Sequence, residues 1–153
     1  ANENIRFINI NYIINNSEVG KNLNKIIEDK NKQIKSELNK ISVKLEKDKN
    51  KIVKQKNVLK KEEFDELAKN YDDKVKKFNQ TRKTRLAEFN QFRINSKKKI
   101  IDTLNPIITN FLKKESIQIL FQKEKIIFGD EKLDITDEIL DIFNKKYKKL
   151  NFE

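Results

Sequence analysis

The chain has 153 residues, 39% of them charged, with 35 basic against 24 acidic side chains and a formal net charge of +11. It contains no Cys and no His, which excludes disulfides, thiolate metal sites and every Ser-His or Cys-His nucleophile. Two Gly and one Pro are too few turn formers for a many-stranded sheet protein, and no apolar run approaches the length of a membrane-spanning helix.

The first residue, Ala1, is of a type common just after a signal cleavage site, so the chain reads as a trimmed secretory protein. Ile5-Arg6-Phe7-Ile8-Asn9-Ile10 is β-branched and aromatic and predicts a strand with apolar residues on both faces. Asn11 is placed to cap a single turn, Tyr12 to Asn15. Ser17 before Glu18 reads as a fresh helix N-cap.

From there to about Leu59 the pattern is a heptad seam. Ile27, Ile34 and Ile41 are seven apart, and so are Leu38, Leu45, Ile52 and Leu59. Asn31, Asp48 and Gln55 interrupt it, two of them in the far half, which predicts a mobile far end. Residues 21–61 hold fourteen Lys against five acidic residues. The polar stretch Lys60-Lys61-Glu62-Glu63 is the expected reversal, and so short a connection makes the two helices antiparallel neighbours.

Phe64 to Phe111 reads as one long return helix. Stepping in elevens gives Phe64, Val75, Leu86, Lys97 and Ile108, and then Leu67, Phe78, Phe89, Ile100 and Phe111. Only Lys97 breaks these two apolar rows. At about 1.5 Å per residue the helix runs roughly 75 Å, which predicts an elongated molecule. Pro106 predicts a kink near Thr103–Asn105.

After Glu115 the period changes. Ile117, Ile119 and Phe121 alternate with their neighbours as in a strand, Gln122 to Lys125 turns, and Ile126-Ile127-Phe128 is expected to pair back as a hairpin. Asp134 and Thr136 are alternative caps for a last helix with the apolar face Ile135, Ile139, Ile142 and Phe143. The fold class is mostly α with a small β body (α+β). Residues 1–20 and 116–153 are expected to form the β body, and residues 21–115 a helical hairpin arm. Three short strands make a poor sheet alone, so the body should assemble with other copies through Ile5, Phe7, Ile8, Ile10, Ile117, Ile119, Phe121, Ile126 and Phe128.

Catalysis has no foothold. The carboxylate pairs Glu28-Asp29 and Asp72-Asp73 are adjacent on helices and point to different faces. Gly20 and Gly129 stand alone and form no phosphate loop. No enzyme activity, metal or cofactor is expected. The cluster Lys74, Lys76, Lys77, Arg82, Lys83 and Arg85 reads either as a solvated helix face or as an anion site, with Arg82 and Arg85 three apart and able to grip one phosphate. Only Arg6, Arg82, Arg85 and Arg93 are arginine, which argues against sequence-specific nucleic-acid readout. Two competing functions remain open: a Lys-rich coiled-coil module binding nucleic acid non-specifically, and a cytoplasmic prefoldin-like chaperone.

The order of these pieces resembles the Skp/OmpH family of periplasmic chaperones. The resemblance is carried by Ile5–Ile10 followed by Ser17-Glu18-Val19-Gly20-Lys21, and by Ile126-Ile127-Phe128-Gly129-Asp130 followed by Leu133-Asp134-Ile135-Thr136-Asp137-Glu138-Ile139. The Asp-Ile-Thr segment is its most specific marker. It implies a jellyfish-like homotrimer whose three arms surround a basic cavity. It further implies an ATP-independent periplasmic holdase for unfolded outer-membrane proteins. Lys74, Arg82 and Arg85 would fall on the basic positions of a lipopolysaccharide or anionic-lipid site.

Overall fold

The computed structural model describes residues 3–153, so Ala1 and the cleavage expectation lie outside the described residues. The order is strand β1 (Ile5–Ile8), helices α1 (Ile10–Asn16), α2 (Glu18–Gln55) and α3 (Lys61–Lys114), strand β2 (Ile119–Gln122) and helix α4 (Thr136–Lys146). Two compact units result. A body unit takes the N-terminal residues to Ile27 together with Arg93–Glu153, and an arm unit is Glu28–Phe92.

The helix ends follow local chemistry. Each long helix starts acidic and ends basic, Glu18 to Lys54 in α2, and Glu62 and Glu63 to Lys113 and Lys114 in α3, matching the helix dipole. Ser17 caps α2 as its sequence predicts, its hydroxyl accepting the Gly20 amide at 3.0 Å. The first strand is shorter than expected because Asn9, not Asn11, ends it. The Asn9 carboxamide oxygen accepts the Tyr12 amide at 2.9 Å, so Ile10 opens α1. The reversal lies at residues 56–60, a few positions before Lys60–Glu63. Glu62 and Glu63 are good helix formers at a positive helix end, so the return helix claims them.

β1 and β2 pair in parallel, Ile5 opposite Ile119 and Ile8 opposite Gln122. The expected hairpin does not form: among the described residues the sheet has two strands. Lys123–Lys125 makes a 3-10 turn, and Ile126–Phe128 then runs unpaired, with Ile127 and Phe128 exposed. The free edge of β2 stays unpaired because Gln122 leads into this 3-10 turn, closed by the Ile126 amide on the Lys123 carbonyl at 3.1 Å, and not into a reversing hairpin turn; β1, for its part, is taken on both edges. β2 occupies one side, and on the other Asp134 bridges Phe7, with the Ile135 amide donating to the Phe7 carbonyl at 3.0 Å.

That contact explains the Asp-Ile-Thr segment. The Asp134 carboxylate accepts the Thr136 amide at 2.9 Å and also the Thr136 hydroxyl, so it caps α4 from one residue outside. The Thr136 hydroxyl oxygen in turn accepts the Asn9 amide at 2.8 Å. The start of α4 is thereby stitched to the end of β1. Lys123 bonds Asp134 at 2.9 Å. Partial burial by itself would raise the Asp134 carboxyl, but the Thr136 hydroxyl, Lys123 and the Thr136 amide together hold it below the ordinary range.

The core sits in the body unit, around Ile8, Ile13, Val19, Ile100, Leu104, Ile139 and Phe143. Ile142, expected on the inner face of α4, is exposed, since Ile135, Ile139 and Phe143 at spacings of four already fill that face. Gly20 lets α2 pass the end of α1: a Cβ there would lie 1.6 Å from the Ile14 carbonyl oxygen. Helix α3 ends in a left-handed residue, Ser116 at φ 54, with the Ile117 amide bonded back to Leu112 at 2.9 Å.

Candidate functional site

Three cross-helix contacts define the arm. Lys30 lies over the Phe92 ring at 4.7 Å, Glu37 pairs with Arg85 at 2.7 Å, and Asp48 pairs with Lys74 at 3.6 Å. From 30 to 37 to 48 on α2 the partner falls from 92 to 85 to 74, by the same steps of seven and eleven. The two helices are therefore antiparallel and in one unbroken register over this length. The same register sets Lys51 opposite Tyr71, Ile52 opposite Asn70 and Gln55 opposite Leu67.

The covered face of α3 within the arm follows sevens. Phe64, Tyr71, Phe78, Arg85 and Phe92 are half-buried, as are Ala68, Val75 and Phe89. Three of the ten positions in the eleven-residue rows, Leu67, Leu86 and Lys97, are exposed. Two helices wrapped on each other keep a 3.5-residue seam, which an eleven-residue repeat on a straight helix does not describe. The heptads read in α2 do face α3: Ile34 is buried and Ile27, Leu38, Leu45 and Ile52 are half-buried, although Ile41 is 39% exposed. Among the described residues Ile34, still 8% exposed, is the arm's only buried apolar side chain. Unlike the body, the arm is a surface with a thin seam, carrying nineteen basic against twelve acidic residues over positions 28–92.

The three expected anion-site residues do not converge. Lys74 and Arg85 are eleven residues apart, roughly 16 Å along the helix, and each faces its own carboxylate on α2. Arg85 also approaches Glu88 at 3.7 Å, and Arg82 points away from the seam, exposed. The feature that sequence reasoning missed lies further out. Where Asp48 and Gln55 break the seam, the helices leave a groove of about 540 Å³ walled by Ile52, Leu67 and Tyr71. The two polar seam residues were its visible signal.

In the body unit the residues expected to join copies divide three ways. Phe7 and Ile8 are buried within the chain, Ile5, Ile10, Ile117 and Ile126 are half-buried, and Ile119, Phe121 and Phe128 are exposed. Ile119 and Phe121 share one face of β2 and are 43% and 46% exposed. Together with Ile127 and Phe128 they leave a large apolar area uncovered beside an open strand edge. Among the described residues no group of three or more acidic side chains is placed to hold a metal, and no helix is long and apolar enough to cross a membrane.

This arrangement is not singular. The fold superposes with a TM-score of 0.92 on a Caulobacter crescentus CB15 protein described as an OmpH-like outer membrane chaperone, covering 100% of this chain and 90% of that one at 17% identity. No curated protein matches the sequence. A capped strand-to-helix opening, two long antiparallel helices, and an Asp-Ile-Thr segment stitched to the first strand are thus the parts that the sequence resemblance rested on. With residues 4–143 matching the family model for "Outer membrane protein (OmpH-like)", the chain belongs to the OmpH-like family.

Proposed function

We propose that this protein is an ATP-independent holdase chaperone that captures unfolded outer-membrane proteins in the periplasm, working as a homotrimer with its arms around the client. It acts by binding alone, without catalysis or cofactor. The observation that carries this reading is the arm: a Lys-rich two-helix element whose apolar seam is only half covered and hardly buried. A positive field attracts acidic polypeptides from a distance, and scattered apolar contacts then hold them weakly at many points. The homotrimer is supported by the uncovered face of Ile119, Phe121, Ile127 and Phe128, which one chain leaves in water.

The test is dilution of a denatured outer-membrane β-barrel into the protein without nucleotide, followed by light scattering and by capture rate against salt. Suppressed aggregation is the expected result. Capture should slow steeply between 0.15 and 1 M salt, where the screening length falls from about 8 to about 3 Å. Release should change less, since apolar contacts are not screened. A requirement for ATP rejects the reading. Sub-micromolar binding of double-stranded DNA at 0.15 M salt, with no effect on aggregation, moves the function to nucleic acid instead.

A further inference from the structure

Helix α2 carries a row of lysines along one side. Lys40, Lys44, Lys47, Lys51 and Lys54 recur at spacings of four and three, so they line one face over roughly 21 Å. All five side chains are exposed, and none of the five ammonium groups has an ion-pair or hydrogen-bond partner among the described residues. Like charges at these spacings destabilise a helix, and no contact within the chain offsets that.

The two carboxylates next to the row are turned away from it. Glu37 stands three residues before Lys40, but Arg85 holds it at 2.7 Å. Asp48 stands four after Lys44 and three before Lys51, but pairs with Lys74 at 3.6 Å. Glu46 lies three or four residues from no member of the row, so it faces another side. Asp73 of α3 lines the distal groove with Lys51 but bonds none of the five. Positions 40–54 and the stretch opposite them, 68–82, hold eleven basic against four acidic residues, whereas the rest of 28–92 holds eight against eight. The positive excess of the arm is therefore the excess of this belt.

A line of unpaired point charges suits a linear polyanion. An extended polypeptide sets alternate side chains about 6.7 Å apart on one side, so four carboxylates at alternate positions span about 20 Å, the length of the row. The flexible stems of lysine take up the small difference in step. Other polyanions fit less well. A helix lying on lipid buries an apolar face, and that of α2, Ile34, Leu38, Leu45 and Ile52, is turned to α3. Single-stranded nucleic acid stacks on open rings, and Tyr71, Phe78, Phe89 and Phe92 lie in the seam.

We propose that this row receives extended polypeptide segments whose carboxylates recur at every second residue, with Arg85 and Lys74 keeping Glu37 and Asp48 from neutralising it. The proposal rests on the holdase reading and names the kind of client segment that the arm takes. It makes client selection a matter of how acidic residues are spaced, beyond net charge alone.

The probe is a fluorescein-labelled peptide in which four Glu alternate with four Thr, and the readout is its anisotropy against the full chain at 0.15 M salt. Saturable binding is expected. Changing all five row lysines to Gln should weaken it about tenfold, or about 1.4 kcal/mol, with helix content unchanged. A second variant changes Lys35, Lys49, Lys69, Lys76 and Lys83 to Gln, which gives the same net charge with the row intact. It should weaken the peptide no more than about twofold, since charges off the row act only through a screened field. Lys74→Gln, which frees Asp48 toward Lys44 and Lys51, should weaken it more than Lys76→Gln does. A peptide of the same composition with its four Glu in one block should bind more weakly, because only two of them face the row. Equal losses in the two five-lysine variants, or equal binding of the two peptides, reduce the row to net charge and overturn the proposal. Row-dependent binding of duplex DNA or of anionic lipid vesicles that is tighter than the peptide's gives the row to that partner and overturns it as well. Failed peptide binding beside suppressed aggregation removes the row and leaves the holdase reading. Row-dependent peptide binding beside failed suppression does the reverse.

Discussion

Arg85 of α3 donates to Glu37 of α2 at 2.7 Å from a heptad position whose neighbours along the seam, Phe78 and Phe92, are aromatic. A charge in a half-buried seam fixes register better than it stabilises. Both side chains are more than a third exposed, so water screens the pair and its net contribution is below about 1 kcal/mol.

Arg85→Leu should therefore leave the arm as stable or make it more so, because Leu suits the seam and the lost pair is screened. Amide exchange around residues 30–40 should slow or stay the same. Faster exchange would show that the ion pair holds the arm together.

The outer arm should open first. Amides from Ile52 to Tyr71, beside the groove, should exchange fast, whereas those around Ile100–Leu104, where the core is closed, should exchange only with global unfolding. Uniform protection along α2 and α3 would contradict a thinning seam.

Sedimentation equilibrium should give three times the 18.3 kDa chain mass. Ile119→Lys should dissociate the assembly while the chain stays folded, since Ile119 is exposed within one chain and a charge there is costly only when a second copy covers it. A native mass of one or two chains, or a trimer that tolerates the substitution, would remove the proposed assembly.

Gly20→Ala should destabilise the body by about 3 kcal/mol, at the top of the overpacking range, because its methyl meets the Ile14 carbonyl oxygen on a backbone that cannot step aside. Thermal unfolding measures it. A shift within error would mean that α1 moves freely against α2.

The Asp134 carboxyl is held below its unfolded value, so its stabilising effect is complete above the unfolded pKa of about 3.9 and is lost as pH falls through the lowered folded value. Asp134→Asn should lower stability at neutral pH and flatten the acid limb of the stability curve. Parallel acid limbs in the two proteins would place the sensitivity elsewhere.

What could be read from residues alone was chemistry within one or two helical turns. Ser17 as a cap, the heptads of Ile27 to Ile52 apart from the exposed Ile41, and the Asp134-to-Thr136 segment all act over at most a few neighbours, and each stands where its side chains demand. The strand at Ile5 and the two long helices followed from the same local periodicity. The eleven-residue rows misread Leu67 and Leu86, because an apolar row shows that a helix has a partner without showing how the pair winds. Parallel pairing of β1 with β2, the missing hairpin, and the separate partners of Lys74 and Arg85 lay beyond the sequence. The pairing and the ion pairs depend on which edge or carboxylate is taken by residues dozens of positions away, and the hairpin on the 3-10 turn that Lys123–Lys125 adopts. The groove at Ile52 was half visible, as two polar residues in a seam. Whether such residues close the seam or leave a space depends on what faces them, and only the register that sets Asp48 against Lys74 and Gln55 against Leu67 decided that.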